Sequence, residues 1–127
     1  MRLALDTNAY VGMLRNDPAF AGVIEQAEKV CIPFVVLAEL RGGFLRGSRA
    51  DENERKLSQF LNKPEVEALY ADEQTTHHDA KIYFQLRKQG TPIPVNDMWI
   101  AALVAQHDLI LLARDQHFDH LRQIPRL

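Results

Sequence analysis

The sequence predicts an α/β fold in which helices cover both faces of a parallel sheet. Short apolar runs of strand length recur along the 127 residues, and longer segments with helical spacing of apolar residues separate them. The first run, Arg2–Leu5, is brief and apolar on both faces, as buried parallel strands are. Strands that alternate with helices in this way favour a parallel sheet with helices on both sides.

The first half of the chain predicts two strands and four helices. Thr7 and Asn8 are turn and cap formers, and Asp17-Pro18 ends the helix that follows them. Pro33 favours the start of a helix, because proline fits the first helical turn. The predicted strands are 2–5 and 30–32, and the predicted helices are 8–16, 20–28, 34–45 and 49–61.

The sequence also predicts two capping boxes and a stiff connector. Ser48 with Asp51 fits a box that opens the helix 49–61, and Thr76 with Asp79 fits one that opens the next helix. The prolines within 91–95 make that segment stiff. The remaining predicted elements are strands 66–70 and 109–112, helices 76–88, 97–107 and 118–121, and an edge strand 124–127 that Pro125 weakens.

Composition and length restrict the class of protein. A net charge of −2 gives no overall signal for nucleic acid or membrane, so a nucleic-acid ligand would need a local basic patch. The only cysteine, Cys31, cannot form an intrachain disulfide, which fits a reducing compartment. No apolar run approaches the roughly 18 residues of a membrane span. We expect residues 1–127 to form one cytoplasmic domain.

Four acids stand where the predicted fold would place chemistry. Asp6 and Asp115 follow predicted strands, Asp97 is the predicted N-cap of a helix, and Glu39 lies inside an apolar run. Active crevices in such sheets lie at the carboxyl ends of the strands, near a topological switch point. Each acid alone has an ordinary explanation as a turn residue, a helix cap or an ion-pair partner. Their combination favours a shared site.

Four carboxylates in one crevice repel one another unless protons or a cation offset their charge. Mg²⁺ and Mn²⁺ accept carboxylate oxygens and keep bound waters, and one of these waters can attack a phosphate. His117 and His120 have a spacing that allows a shared zinc ligand, but no third ligand is convincingly placed. We therefore expect them to be surface or capping histidines.

Four sequence blocks together resemble the PIN-domain ribonucleases, and more narrowly the VapC toxins of prokaryotic toxin–antitoxin pairs. The resemblance runs in order and spacing along essentially the whole chain. The blocks are Leu5-Asp6-Thr7-Asn8, Ala38-Glu39-Leu40 followed by Gly43, Asn96-Asp97-Met98-Trp99-Ile100-Ala101-Ala102 after Pro92-Ile93, and Ala113-Arg114-Asp115-Gln116-His117-Phe118.

This resemblance implies a three-layer α/β/α sandwich, a homodimer, endoribonuclease activity that depends on Mg²⁺ or Mn²⁺, and inhibition by a small antitoxin. It implies that the catalytic, metal-binding acids are Asp6, Glu39, Asp97 and Asp115, with Thr7 and Asn8 as supporting polar residues. One position departs from the family pattern, since Ala113 stands where the family usually has Thr or Ser.

Three arginines after the second acid suggest a path for the RNA backbone. Arg41, Arg46 and Arg49 follow Glu39 with no acid before Asp51, although scattered solvent-facing arginines would give the same pattern.

Two other functions remain open at this point. A catalytically weakened PIN-like module would only bind RNA or a partner, and Ala113 favours it mildly. A phosphatase of the haloacid-dehalogenase type would require a second acid at the position of Asn8.

Overall fold

A computed structural model describes all 127 residues. Its elements are β1 (Arg2–Leu5), α1 (Thr7–Leu14), α2 (Ala21–Gln26), β2 (Lys29–Pro33), α3 (Phe34–Arg46), α4 (Ala50–Leu61), β3 (Val66–Leu69), α5 (Glu73–Gln89), α6 (Val95–Gln106), β4 (Ile110–Leu112) and a 3₁₀ helix (Gln116–His120). This order of strands and helices confirms the predicted α/β class.

The sheet is entirely parallel, and its strand order is β3-β2-β1-β4. From β1 the chain proceeds outward to β2 and β3, and then returns to place β4 on the other side of β1. The gap between the carboxyl ends of β1 and β4 is therefore the topological switch point of the sheet, where ligands bind in folds of this class.

Burial along the central strands shows that both faces of the sheet are covered. Consecutive residues of a strand point to opposite faces. Leu3, Ala4 and Leu5 are all 0% exposed, so β1 packs against other elements on both sides. The same holds for Val30 and Cys31 in β2, which are each 1% exposed. The predicted three-layer arrangement follows from this burial.

Two predicted capping boxes do not form. Helix α4 begins at Ala50, because the N–H of Asn53 donates to the carbonyl of Arg49, and Ser48 then lies outside the first turn. No side chain caps this helix. Helix α5 begins at Glu73, which is earlier than the Thr76–Asp79 pair predicts.

Asp72 and Thr75 form the capping box of α5. Asp72 Oδ1 accepts from the Thr75 N–H at 3.1 Å, and the Asp72 N–H donates to Thr75 Oγ1 at 2.9 Å. Gln106 of α6 donates to Asp72 Oδ1 at 3.0 Å, so a tertiary contact supports this cap. The helix ends at Gly90, which has a φ of 70° and thus adopts the left-handed conformation that glycine tolerates.

The predicted edge strand at the C-terminus is reduced to one bridge, between Leu111 and Arg126. Leu111 N–H donates to the carbonyl of Pro125, and Leu127 N–H donates to the carbonyl of Leu111. Pro125 has no N–H of its own to extend the ladder. This bridge nevertheless connects the C-terminal residues to β4, which borders the switch point.

No helix in the structure combines the length and the apolar character that crossing a membrane requires.

Gly12 is the position where the fold tolerates a side chain least. A Cβ added there would clash with the ring of Phe20, which is itself buried. We predict that Gly12→Ala lowers the free energy of unfolding by about 1–3 kcal/mol, because overpacking forces buried groups apart. Denaturant unfolding measures this change.

Gly22→Ala is the matched control, since a Cβ on this exposed residue of α2 has nothing within 4 Å. It should leave the protein equally stable or raise its stability by up to about 1 kcal/mol, as removal of a helical glycine does. Equal effects of the two substitutions would contradict the packing argument.

Candidate metal centre

The four predicted acids line one crevice at the switch point of the sheet. Its volume is about 140 Å³, and its lining consists of Asp6, Thr7, Asn8, Glu39, Asp97, Ile100 and Asp115. Four larger grooves on the molecule contain none of these four acids. The chemistry of the lining, rather than the size of the crevice, marks it as the candidate site.

Asp6 is the most buried of the four acids, at 6% exposure. It is the N-cap of α1, and its Oδ1 accepts from the backbone N–H of Ala9 at 2.8 Å. Burial raises the pKa of Asp6 to about 6, the Ala9 hydrogen bond opposes this rise, and the charges of Asp115, Asp97 and Glu39 add to it. The predicted turn role and the predicted site role therefore coexist in one side chain.

Glu39 lies at the open side of the crevice. Its place inside an apolar run predicts a buried carboxylate, and this expectation is wrong, because Glu39 is exposed. Helix α3 buries Val36, Leu37 and Leu40 on one face and presents Glu39 on another. Thr7 Oγ1 donates to Glu39 Oε1 at 3.2 Å, so that the residue after Asp6 holds this second acid.

The sequence predicts that Asp97 is the N-cap of α6. Asp97 instead lies in the first turn of this helix. The Met98 N–H donates to the carbonyl of Pro94, so the helix begins at Val95. Burial raises the pKa of the Asp97 carboxyl, and a hydrogen bond from His117 opposes that rise. The N-terminus of a helix favours the negative charge that Asp97 carries when ionised.

His117 joins two of the acids, which the sequence analysis did not predict. Its Nδ1 lies 2.8 Å from Asp97 Oδ2 and 3.0 Å from Asp115 Oδ1. Asp115 also caps the 3₁₀ helix, since its Oδ1 accepts from the His117 N–H at 2.9 Å. The His117 side chain is 44% exposed and thus lies at the surface as expected, but its ring also contacts two acids, whereas the exposed His120 contacts none of them. The spacing Asp-x-His was the available signal.

Arg126 braces the loop that carries Asp115. Its guanidinium donates to the backbone carbonyl of Asp115 at 3.2 Å and contacts Asp119 Oδ1 at 3.0 Å. Since the tail also bridges to Leu111, the last residues of the chain support one wall of the crevice.

The arrangement of donors suits a divalent cation. Carboxylates of four separate elements and one imidazole converge, and the ligand atoms of Asp97, Asp115 and His117 lie within 4.8 Å of one another. Burial is the main cause of the raised pKa of Asp6, and the charges of Asp115, Asp97 and Glu39 add to that rise. A hard cation with oxygen ligands offsets such charge.

The three predicted RNA-binding arginines have different environments. Arg41 forms two hydrogen bonds of 3.0 Å with the carboxylate of Glu54, so its charge is already paired. Arg46 and Arg49 are exposed and have no ion pair. Of the three predicted arginines, only Arg46 and Arg49 therefore present positive charge that no carboxylate of the protein pairs.

Comparison with known proteins places this site in context. The model of the PIN domain family matches residues 3–124. The chain is 32% identical over 120 residues to ribonuclease VapC4 of Mycobacterium tuberculosis. The aligned residues cover 92% of this chain and 88% of the relative.

Two solved structures are similar over the full chain. One is VapBC-1 from nontypeable Haemophilus influenzae, with a TM-score of 0.87 and 26% identity. The match covers 100% of this chain and 97% of the chain in that structure. The other is VapBC-5 from Mycobacterium tuberculosis, a member of the VapBC family of toxin–antitoxin systems, with a TM-score of 0.73, 26% identity and coverage of 100% of both chains.

The buried charge of Asp6 predicts a specific dependence of stability on pH. A carboxyl whose pKa rises on folding stabilises the protein while it is protonated, and this stabilisation is lost as pH rises through the folded pKa. For Asp6 the window extends from 3.8 to about 6. In EDTA, Asp6→Asn should therefore be more stable than the wild type at pH 7, by at most roughly 3 kcal/mol.

Denaturant unfolding at several pH values between 4 and 8 measures this difference. Asparagine keeps the acceptor for the Ala9 N–H, so the cap survives the substitution. Asp108→Asn is the control, because it removes the same charge from an exposed position with a φ of 53°, which asparagine accepts. If the stability difference between the wild type and Asp6→Asn were constant across the pH range, this result would contradict the argument.

Proposed function

This chain belongs to the PIN-domain family and, within it, to the VapC-type toxins, and on that basis we propose that it is a metal-dependent endoribonuclease. The relative VapC4 is a ribonuclease by name, and the fold and the order of the acids agree with that activity. We propose Asp6, Glu39, Asp97 and Asp115 as the catalytic acids, and Mg²⁺ or Mn²⁺ as the metal.

The observation that carries this proposal is the meeting of the four carboxylates in one crevice. They come from positions 6, 39, 97 and 115, so only the folded chain brings them together. A structural role would require partners for these charges, and the protein supplies few of them. A cation bound there would supply an activated water and charge stabilisation on a phosphate.

The protein residues then have separate tasks. Asp97 and Asp115 provide oxygens on one wall, and His117 contacts both. Thr7 orients Glu39, and the Ala9 N–H orients Asp6. The crevice opens to solvent on the side of Glu39, where a strand of RNA can approach the acids. Asn8 lines the crevice as a supporting polar residue.

The proposed partners follow from the relatives. VapBC-5 is named as a member of toxin–antitoxin systems, and we propose that a cognate antitoxin neutralises this chain as well. We further propose that residues 1–127 act as one PIN domain, that the protein forms a homodimer, and that it works in the cytoplasm.

One observation favours the weaker alternative of an RNA-binding module with reduced activity. Ala113 is 0% exposed and directly follows β4, so no hydroxyl is present two residues before Asp115. The phosphatase alternative loses support, because Asn8 stands in place of its second acid and the relatives are ribonucleases. Cleavage assays separate these functions.

Removal of one acid should abolish cleavage without unfolding the protein. We predict that Asp97→Asn lowers the rate of RNA cleavage at least roughly 100-fold, because a metal ligand is lost. The measurement is the cleavage of a structured RNA by purified protein with Mg²⁺ or Mn²⁺. EDTA should abolish wild-type cleavage.

Asp51→Asn serves as the control, since it removes one exposed carboxylate from α4, outside the crevice. Wild-type cleavage that survives EDTA, or full activity of the Asp97→Asn protein, would reject the metal-dependent mechanism.

The free arginines should contribute to RNA binding through the phosphates. We predict that Arg46→Ala with Arg49→Ala weakens RNA binding and makes the dependence of log K on log salt shallower by about 1.4, because two phosphate contacts worth about 0.7 each are lost. Arg41→Ala should change the slope less, since Glu54 pairs this charge. Fluorescence anisotropy at several salt concentrations measures both quantities.

Arg15→Ala with Arg122→Ala is the matched control, because both are exposed arginines that lie outside α3 and α4. Equal slopes for the two double variants would show that Arg46 and Arg49 have no special role.

A further inference from the structure

We propose that His117 is itself a ligand of the metal and that it shifts the centre toward first-row transition ions such as Mn²⁺ and away from Mg²⁺. This inference rests on the proposed function, since it requires the carboxylate centre. It goes further by assigning a nitrogen ligand to a site that the sequence predicts as entirely carboxylate.

The distances around His117 Nδ1 already match a coordination sphere. Nδ1 lies 2.8 Å from Asp97 Oδ2 and 3.0 Å from Asp115 Oδ1. Adjacent ligands of an octahedral ion with ligand distances of ~2.1 Å are ~3.0 Å apart. A cation can therefore take the place of the proton between these three atoms with little movement of the side chains.

The local backbone holds the imidazole where it is. The His117 N–H donates to Asp115 Oδ1, so that the two ligands are fixed to each other through one turn. The next residue, Phe118, is 2% exposed and anchors the 3₁₀ helix in the core. The His117 side chain is itself 44% exposed, so packing does not explain the position of its ring.

The remaining oxygens leave room for the rest of the centre. The contacts to His117 use Oδ2 of Asp97 and Oδ1 of Asp115. Oδ1 of Asp97 and Oδ2 of Asp115 make no hydrogen bond to the protein. They stay available to a cation together with Asp6 and Glu39, which line the same crevice.

An imidazole nitrogen changes the preference among metals. Mg²⁺ is a hard cation that keeps oxygen ligands and water, and it gains little from nitrogen. First-row transition ions accept imidazole more readily than Mg²⁺ does, and Mn²⁺ stands at the weak end of their affinity order. A site with two carboxylates and one imidazole should therefore discriminate between Mn²⁺ and Mg²⁺. A purely carboxylate site would not discriminate between these two ions.

Another role for His117 gives a different outcome. An imidazolium that only neutralises Asp97 and Asp115 would occupy the place of the cation, and metal binding would displace it. In that case, loss of His117 would leave the metal affinity unchanged or raise it, and no nitrogen would be bound to the ion.

The decisive measurement is the electron spin echo modulation of Mn²⁺ bound to the protein, because it detects a directly coordinated nitrogen. We expect ¹⁴N coupling in the wild type, a changed pattern after labelling with ¹⁵N-histidine, and loss of the coupling in His117→Gln. His120→Gln is the control, since His120 lies on the same 3₁₀ helix, is exposed and is outside the cluster.

Calorimetry with Mn²⁺ and with Mg²⁺ gives the second readout. We expect His117→Gln to lower Mn²⁺ affinity ~10- to 100-fold and Mg²⁺ affinity much less, so that the Mn²⁺ preference of the wild type collapses. Bound Mn²⁺ without ¹⁴N coupling, or equal losses for both ions, would overturn the role of His117 and leave the carboxylate centre standing. Unchanged Mn²⁺ binding by Asp97→Asn would instead reject the centre, and the proposed function with it.

Discussion

Repulsion among four carboxylates is the constraint on which the rest of this structure depends. Asp6 is almost fully buried, and its neighbours Asp115, Asp97 and Glu39 all disfavour its ionised form. A crevice of this kind exists only because a rigid core holds its walls in place. Thirty-five buried hydrophobic residues form that core, and the central strand β1, which leads into Asp6, lies within it.

Three of the four acids are held by contacts that do not neutralise them. The N–H of Ala9 fixes Asp6, the hydroxyl of Thr7 fixes Glu39, and the N–H of His117 fixes Asp115. Neutral donors orient a carboxylate without cancelling its charge, so the negative charge of the crevice persists. Arg126 contributes a full charge, but it contacts the backbone carbonyl of Asp115 and not its carboxylate. The site is thereby preorganised and still strongly negative.

Helix boundaries show where local sequence signals compete with tertiary contacts. Ser48 and Thr76 both have the spacing of a capping box, yet neither caps a helix. Asp72 caps α5 because Gln106 of α6 also donates to it, and Gln106 is distant in sequence. Pro94 sets the start of α6 two residues ahead of the predicted start at residue 97. Capping residues are common, so a tertiary partner selects among them.

The sequence by itself determined the α/β class, the positions of β1 to β4 and the four candidate acids, because apolar periodicity and acids at strand ends are local properties. Only the tertiary structure decided how these acids are used. It exposed Glu39, which lies in an apolar run, since α3 turns that face outward. It paired Arg41 with Glu54, and it brought His117 into contact with Asp97, twenty residues away. Such contacts depend on the packing of α6 against the loop after β4, and no local pattern encodes that distance.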